Sequence, residues 1–391
     1  MGNEDKPSIS ILDLSWADDP EKKPRLLEQL RSALFDVGFL YIKNHGVSEA
    51  TISNLTEKLP RLFNLPANER AALSKLNSPH FLGCSGFAEE TTLGKQDLRE
   101  QFDYATELPV VYSDPEDRKS NGVNGHSEDD ERDFTQLYWR LRGPNQWPAE
   151  TSLPAFRQAL TNYHDAVAEL SYRFVHLIEE AFGIPIGTFD HFFGRQSLES
   201  QLNGTTKSRS FLSPQHRIKL LKYPPTPADS GGGQGVGAHK DSSGWLTFLL
   251  QVGNEPGLEV LSSTNEWLPA TPIDGTFVVN FGNAFEAATS GAVKATTHRV
   301  IAPGPESPTR YSIPFFQGLP LDMTVSEVRS YIPESVNRMR KEQGGVKEVS
   351  DAFLDPRWDS LGESQLRKWI RSHRDVGEKW YGREIVGYYT S

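Results

Sequence analysis

The stretch Gly237-Ala-His239-Lys-Asp241-Ser-Ser-Gly-Trp245-Leu-Thr-Phe-Leu-Leu-Gln251 decides the fold, because it joins a ligand pair to a buried strand. In an extended backbone, alternate side chains share a face, so His239 and Asp241 can turn toward one ion. The apolar run after them has the length and bounds of a strand covered on both sides. His298, in Ala-Thr-Thr-His298-Arg-Val-Ile, lies within reach on a strand returning antiparallel. Two imidazoles and one carboxylate on one side of an ion leave its other positions open, the donor set suited to non-heme Fe(II).

His-x-Asp alone is a weak signal, since a surface histidine beside an acid arises by chance. The downstream residues strengthen it by their order. Past His298 comes Arg310-Tyr-Ser312-Ile-Pro-Phe-Phe316, where Arg310 and Ser312 again share a strand face. A guanidinium fork matches a carboxylate bidentately and a neighbouring hydroxyl adds a donor, so the pair suits the far carboxylate of a dicarboxylic acid. A structural ion pair accounts for Arg310 taken singly but explains the ordered set less well.

Together with Val37-Gly-Phe-Leu-Tyr-Ile-Lys-Asn44-His45-Gly46-Val, Tyr223-Pro-Pro, Pro256-Gly-Leu-Glu-Val, Trp267 and His298-Arg-Val, the chain resembles the isopenicillin N synthase-like Fe(II)/2-oxoglutarate-dependent dioxygenases over residues 8–318. The resemblance implies Fe(II) on His239, Asp241 and His298, with 2-oxoglutarate on Arg310, Ser312 and Tyr223 and O2 as the third reactant. It implies oxidation of a small organic molecule (hydroxylation, desaturation or ring closure) with release of succinate and CO2. Similarity to fungal relatives points to secondary metabolism. It also sets residues 79–108 over the barrel mouth, making Phe102 and Tyr104, with Phe316, candidate substrate residues; core packing explains the first two equally well. Three positions depart from the family pattern. Leu221 stands where many relatives have Asn, Asn283 where Asp is usual, and Lys240 where Thr is commoner; Lys240 is expected to point away from the metal.

Two other readings stay open. An Fe(II) oxidase that draws all its electrons from its substrate could hold that substrate's carboxylate on Arg310, and succinate formed in step with product separates the two. A non-catalytic ligand-binding barrel would bind its ligand without iron and consume no O2.

The pattern elsewhere predicts a mixed α/β (α+β) chain: a double-stranded β-helix (jelly-roll) barrel with flanking N-terminal, spine and C-terminal helices. It is expected to form a single catalytic domain with a mostly helical N-terminal part (8–185), a barrel core (213–318) and a C-terminal helical extension (319–391). A short strand starts near Ser8. Apolar residues Leu26 to Val37 recur at helical spacing up to Gly38, and Phe39 to Ile42 read as a buried strand. Asn-His45-Gly is a turn, Ser48 caps the next helix, and residues 152–182 form the longest helix, with His164 and His176 ordinary residues on it. Residues 113–133, with His126, are acidic and polar and read as a solvated insertion. The Gly run at 231–237 lacks the ending of a phosphate loop and reads as a flexible rim. Short strands continue to Phe316, and Arg367-Lys-Trp-Ile-Arg-Ser-His-Arg374 reads as the solvated face of a late helix.

The net charge of −11 argues against a nucleic-acid partner. Cys84, the one cysteine, excludes an internal disulfide and Cys-rich zinc motifs. The polar start Met-Gly-Asn-Glu-Asp-Lys and the lack of any long apolar run give the expectation of a soluble, cytoplasmic monomer that acts on a small molecule without membrane contact.

Overall fold

The apolar run after Asp241 folds as an extended segment buried among other strands, and the rest of the chain is laid around it. The computed structural model describes residues 9–115, 132–194, 211–227, 233–241, 244–341 and 359–391. Its strands are β1 (Ser10–Asp13), β2 (Phe39–Lys43), β3 (Gly83–Ser85), β4 (Thr91–Thr92), β5 (Lys95–Gln96), β6 (Glu100–Ala105) and β7 (Arg217–Tyr223). They continue with β8 (Gln234–His239), β9 (Leu246–Val252), β10 (Leu258–Leu261), β11 (Trp267–Pro269), β12 (Thr276–Phe281), β13 (His298–Ile301) and β14 (Arg310–Gln317).

An eight-stranded sheet has the order β1-β2-β12-β9-β14-β7-β6-β3, and a four-stranded sheet the order β11-β10-β13-β8. One buried cluster takes Phe39, Tyr41, Leu221 and Tyr223 from the large sheet and Val236, Leu258, Val260 and Val300 from the small one. The two sheets therefore close on a shared interior, as a jelly roll requires. The other face of the large sheet packs on the long helix Phe156–Phe182, where Phe174 meets Phe248 edge-on at 5.7 Å. A larger cluster joins N-terminal Leu12 and Leu30, helix residues Tyr163 and Phe174, barrel residues Phe248 and Phe277, and Leu361 of the C-terminal part.

Most local expectations match. The first helix runs Lys23–Ser32, passes into a π turn at Ala33–Val37, and stops at Gly38 with φ 73°. Ser48 accepts the Thr51 amide and caps Glu49–Thr56. The long helix begins at Phe156, four residues later than its pattern suggested, because Pro154 and the left-handed Ala155 (φ 55°) precede it. His164 bonds Thr106 and His176 bonds Asp190, both as ordinary structural residues. His45 packs against Phe277 in the core. His126 lies outside the described residues.

Three expectations need correction. Residues 283–288, Asn-Ala-Phe-Glu-Ala-Ala, form a wholly buried helix where strands were expected. The Gly run is not all rim, since residues from Gln234 onward are strand β8. There a Cβ on Gly237 would stand 2.7 Å from Thr92, so glycine permits the close crossing of β8 with the β4–β5 hairpin. The basic segment 367–374 is a solvated face only in part: Arg371, Ser372 and Arg374 are exposed, and Arg367 and Lys368 are half-buried. Trp369, Ile370 and His373 are buried, because the helix Leu361–Ser372 lies against Phe81, Trp139 and the barrel end.

Candidate active site

β13 and β8 pair antiparallel with His298 directly opposite His239, which places the two rings 4.3 Å apart at one end of the barrel. Asp241 lies just past the end of β8, its Oδ1 3.9 Å from His239 Nε2 and 3.8 Å from His298 Nε2. The three ligand atoms lie within 4.8 Å of one another, and this is the one such cluster among the described residues.

The surroundings leave the right atoms free. Carbonyl oxygens only accept, so His239 Nδ1–H donates to Gly237 O (2.8 Å) and His298 Nδ1–H to Thr296 O (3.1 Å). Each ring thus keeps its Nε2 lone pair for a metal, with its orientation set by the second nitrogen. Burial, then the neighbouring His298, pushes His239 down to about 3, which keeps it neutral. Asp241 Oδ2 accepts from Thr247 Oγ1 (2.7 Å) and Asn280 Nδ2 (2.6 Å). Its burial, which acts to raise the pKa, is outweighed by His298, His239 and these hydrogen bonds, so the carboxyl is held at about 2. Two imidazole nitrogens and one carboxylate oxygen on a single side form a donor set that fits Fe(II).

Arg310 opens β14 opposite Tyr223 of β7 and is 1% exposed. Its Nη2 donates to Gln251 Oε1 (3.0 Å) and its Nη1 to Ser312 Oγ (3.4 Å), while its guanidinium carbon lies 5.1 Å from the Tyr223 ring centroid. Nε has no partner. A buried guanidinium whose hydrogen-bond partners are neutral is costly without an anion, and burial already pushes its pKa down. That combination fits a carboxylate arriving with a cosubstrate.

Arg310 and the triad line one cavity of about 350 Å³. Arg310, Ser312, Pro314 and Phe316 alternate along β14 into it, and Leu221 and Tyr223 join them from β7. Phe102 and Tyr104 do not line it, so their expected place at the substrate is corrected. On β6 they face the helices: Phe102 meets Phe63 at 5.4 Å, and Tyr104 meets Trp147 at 5.0 Å and Phe156 at 5.7 Å. The alternate residues Gln101 and Asp103 face a buried charge cluster instead.

Comparison with known proteins gives the same assignment. Residues 9–150 match the model of the non-haem dioxygenase in morphine synthesis N-terminal region, and residues 214–318 match that of the 2OG-Fe(II) oxygenase superfamily. The chain belongs to the 2OG-Fe(II) oxygenase superfamily. It is 40% identical over 380 residues to the 2-oxoglutarate-dependent dioxygenase frbJ of Dothideomycetidae sp. (strain 11243), covering 95% of this chain and 92% of that protein. A 2-oxoglutarate-dependent dioxygenase of Gibberella zeae is 30% identical, covering 96% of this chain and 91% of that one. A full-length Neurospora crassa protein, solved in complex with alpha-KG and thymine, shares the fold with a TM-score of 0.62 at 22% identity, covering 88% of this chain and 99% of that one. The protein is an Fe(II)/2-oxoglutarate-dependent dioxygenase, an oxidoreductase that uses Fe(II), 2-oxoglutarate and O2.

Within this oxygenase, two of the three departures from the family pattern, Leu221 and Lys240, have local explanations. Leu221 sits in the barrel interior beside Tyr223. Lys240 turns to Glu286 Oε2 at 2.9 Å. The side chain of Asn283 has no structural explanation; its backbone N–H donates to Asp241 O at 2.8 Å, tying the ligand loop to the buried helix. Sequence reasoning missed Thr247 and Asn280, which hold Asp241. Their signal was present as polar residues at paired positions of two largely apolar strands, Thr247 of β9 opposite Asn280 of β12. It also missed the cavity wall formed by Lys368, Trp369 and His373.

Proposed function

We propose that His239, Asp241 and His298 hold Fe(II), that Arg310 with Ser312 and Tyr223 holds 2-oxoglutarate, and that Phe316 forms part of the substrate wall. The observation that carries this reading is the convergence of the three ligand atoms in the same cavity as a buried arginine that has no carboxylate in hydrogen-bond or ion-pair contact among the described residues. The shared apolar core supports treating the N-terminal part, barrel and C-terminal extension as one catalytic unit. Fungal relatives named as 2-oxoglutarate-dependent dioxygenases support a role in secondary metabolism, with a hydroxylation, desaturation or ring closure of a small molecule. We place this work in the cytoplasm, in a monomer that contacts neither nucleic acid nor membrane. Among the described residues no helix is long and apolar enough to cross a membrane.

When bound, Fe(II) would let O2, the oxidant, take two electrons from 2-oxoglutarate, giving succinate and CO2, and two from the substrate. The protein's residues do the rest. Thr247 and Asn280 keep Oδ1 of Asp241 turned inward, while the carbonyls of Gly237 and Thr296 fix both imidazoles. Arg310 anchors the far carboxylate and so sets the cosubstrate's direction. Phe39, edge-on to His298 at 5.1 Å, adds apolar wall that excludes water. Position of the substrate then selects which C–H bond reacts.

The test is succinate formation by His239→Ala, Asp241→Ala and His298→Ala. Each should lose turnover and bind Fe(II) weakly while keeping the wild-type far-UV spectrum. Normal iron binding and activity in two of the three would show that the metal sits elsewhere.

A further inference from the structure

The wall of the cavity facing β7 is built from charge, and its charges do not balance. Lys75 pairs with Glu90 (3.1 Å) and Asp103 (2.8 Å), Lys219 with Asp103 (3.4 Å), and Arg99 with Glu90 (2.8 Å) and Asp97 (3.7 Å). Over this cluster lies Trp369 of the C-terminal extension, with Arg217, Lys219 and Lys368 at 4.4, 5.3 and 5.5 Å from its ring centroid. Arg217 directs its donors to the carbonyls of His80, Phe81 and Leu141. Lys368 is different. It lines the cavity, yet its ammonium has no hydrogen-bond or ion-pair partner among the described residues.

The carboxylates on the same cavity are already engaged. Glu90 Oε1 accepts from Lys75, Gln101 and His373, and its Oε2 accepts from Arg99. Asp97 Oδ1 accepts from Gln234 and the Gly237 amide, and its Oδ2 from Thr92. Asp241 is directed to the metal position. A cationic ligand would therefore meet saturated acids, whereas an anionic one would meet an ammonium with three unused donors. Lys368 is half-buried, and its charge is penalised there: desolvation first, then the positive charge of Lys219, pushes its pKa down to about 8. An incoming anion reverses both penalties. Arg310 does not compete for this role, because it lies on β14 beside Gln251 and Tyr223 and serves the cosubstrate.

We propose that the substrate of this dioxygenase is a carboxylic acid, bound as its anion by the Lys368 ammonium at the Trp369 wall. The inference rests on the proposed iron and 2-oxoglutarate sites and adds the substrate's chemical class. Lys368 comes from the extension beyond residue 318, outside the stretch matched by the oxygenase model, so selectivity is supplied by an element added to the barrel.

Binding to the anaerobic, Fe(II)-loaded protein saturated with 2-oxoglutarate tests it, with benzoate, phenylacetate and hexanoate as probes beside their carboxamides. The acids should bind, and the matched amides about tenfold or more weakly, since a hydrogen bond to a charged group is exchanged for a neutral contact. Lys368→Gln should erase that difference, and Lys368→Arg should keep part of it. Failure of every acid to bind, equal binding of acids and amides, or an acid preference that survives in Lys368→Gln would each overturn the proposal. Binding of 2-oxoglutarate, measured first and alone, reads the Arg310 assignment separately. Its failure would sink the functional reading, not the role of Lys368.

Discussion

At the scale of single residues, the site is a set of atoms whose second partners have already been chosen. Asp241 presents Oδ1 because Thr247 and Asn280 occupy Oδ2. Removing one of them frees the carboxylate to rotate without touching a ligand atom. Asn280→Ala is therefore expected to weaken Fe(II) binding by about 10–100-fold, as read by metal titration, while the fold persists; unchanged affinity would mean that Asp241 is oriented by its backbone alone. Arg310 makes the opposite case, a buried charge to which the proposed reading gives a partner from outside. Arg310→Gln should cost about 2–5 kcal/mol of cosubstrate binding, roughly 30-fold or more in affinity. Iron titration should be nearly unaffected, and Arg310→Lys should recover only part, since an ammonium lacks the planar fork.

At the scale of elements, legibility followed geometry. Strands β8, β13 and β14 were readable because period-two alternation sets His239, His298, Arg310 and Ser312 on defined faces; antiparallel pairing then joins His239 to His298, and Arg310 and Ser312 line the same cavity from the facing sheet. The helix Asn283–Ala288 was not, since a short segment buried on all sides carries no amphipathic period to distinguish it from a strand. Nor was the role of residues 367–374, where Arg371 and Arg374 are exposed as their charge suggests but Lys368 lies by the Trp369 ring and lines the cavity. β6 shows the same limit from the other side. Glu-Gln-Phe-Asp-Tyr-Ala alternates as a half-exposed strand would, yet both faces are covered, the aromatic one by helices and the polar one by the charge cluster. Phe102→Ala is accordingly expected to lower stability by about 3–5 kcal/mol, seen in denaturant unfolding, while succinate and product stay in step. Loss of that coupling in a variant of unchanged stability would return Phe102 to the substrate pocket.

At the scale of the whole molecule, the interior that isolates the site also stores neutral histidines, and this gives stability a direction in pH. His216 is buried between the long helix and the end of β14. It accepts the Gly318 amide on Nδ1 (3.0 Å), which leaves Nε2–H to donate to the Tyr172 hydroxyl (2.6 Å). Protonating Nδ1 would break the first bond and bury a charge. Burial, then the nearby His164, accordingly lowers its pKa from the ordinary 6.5 to about 3. In the unfolded chain the same ring takes up its proton near 6.5, so between these values the unfolded state binds more protons. Stability from this residue is complete above pH 6.5 and is lost steadily as the pH falls toward 3. The slope is about 1.4 kcal/mol per pH unit for one proton. His80, also pushed down by burial, adds in the same sense. Denaturant unfolding of the metal-free protein at a series of pH values between about 7 and 4.5 should show this decline. His216→Phe should start from lower stability but lose about one proton's worth of slope. An unaltered slope in that variant would show that His216 accepts its proton in the folded state and that the acid sensitivity resides in other groups.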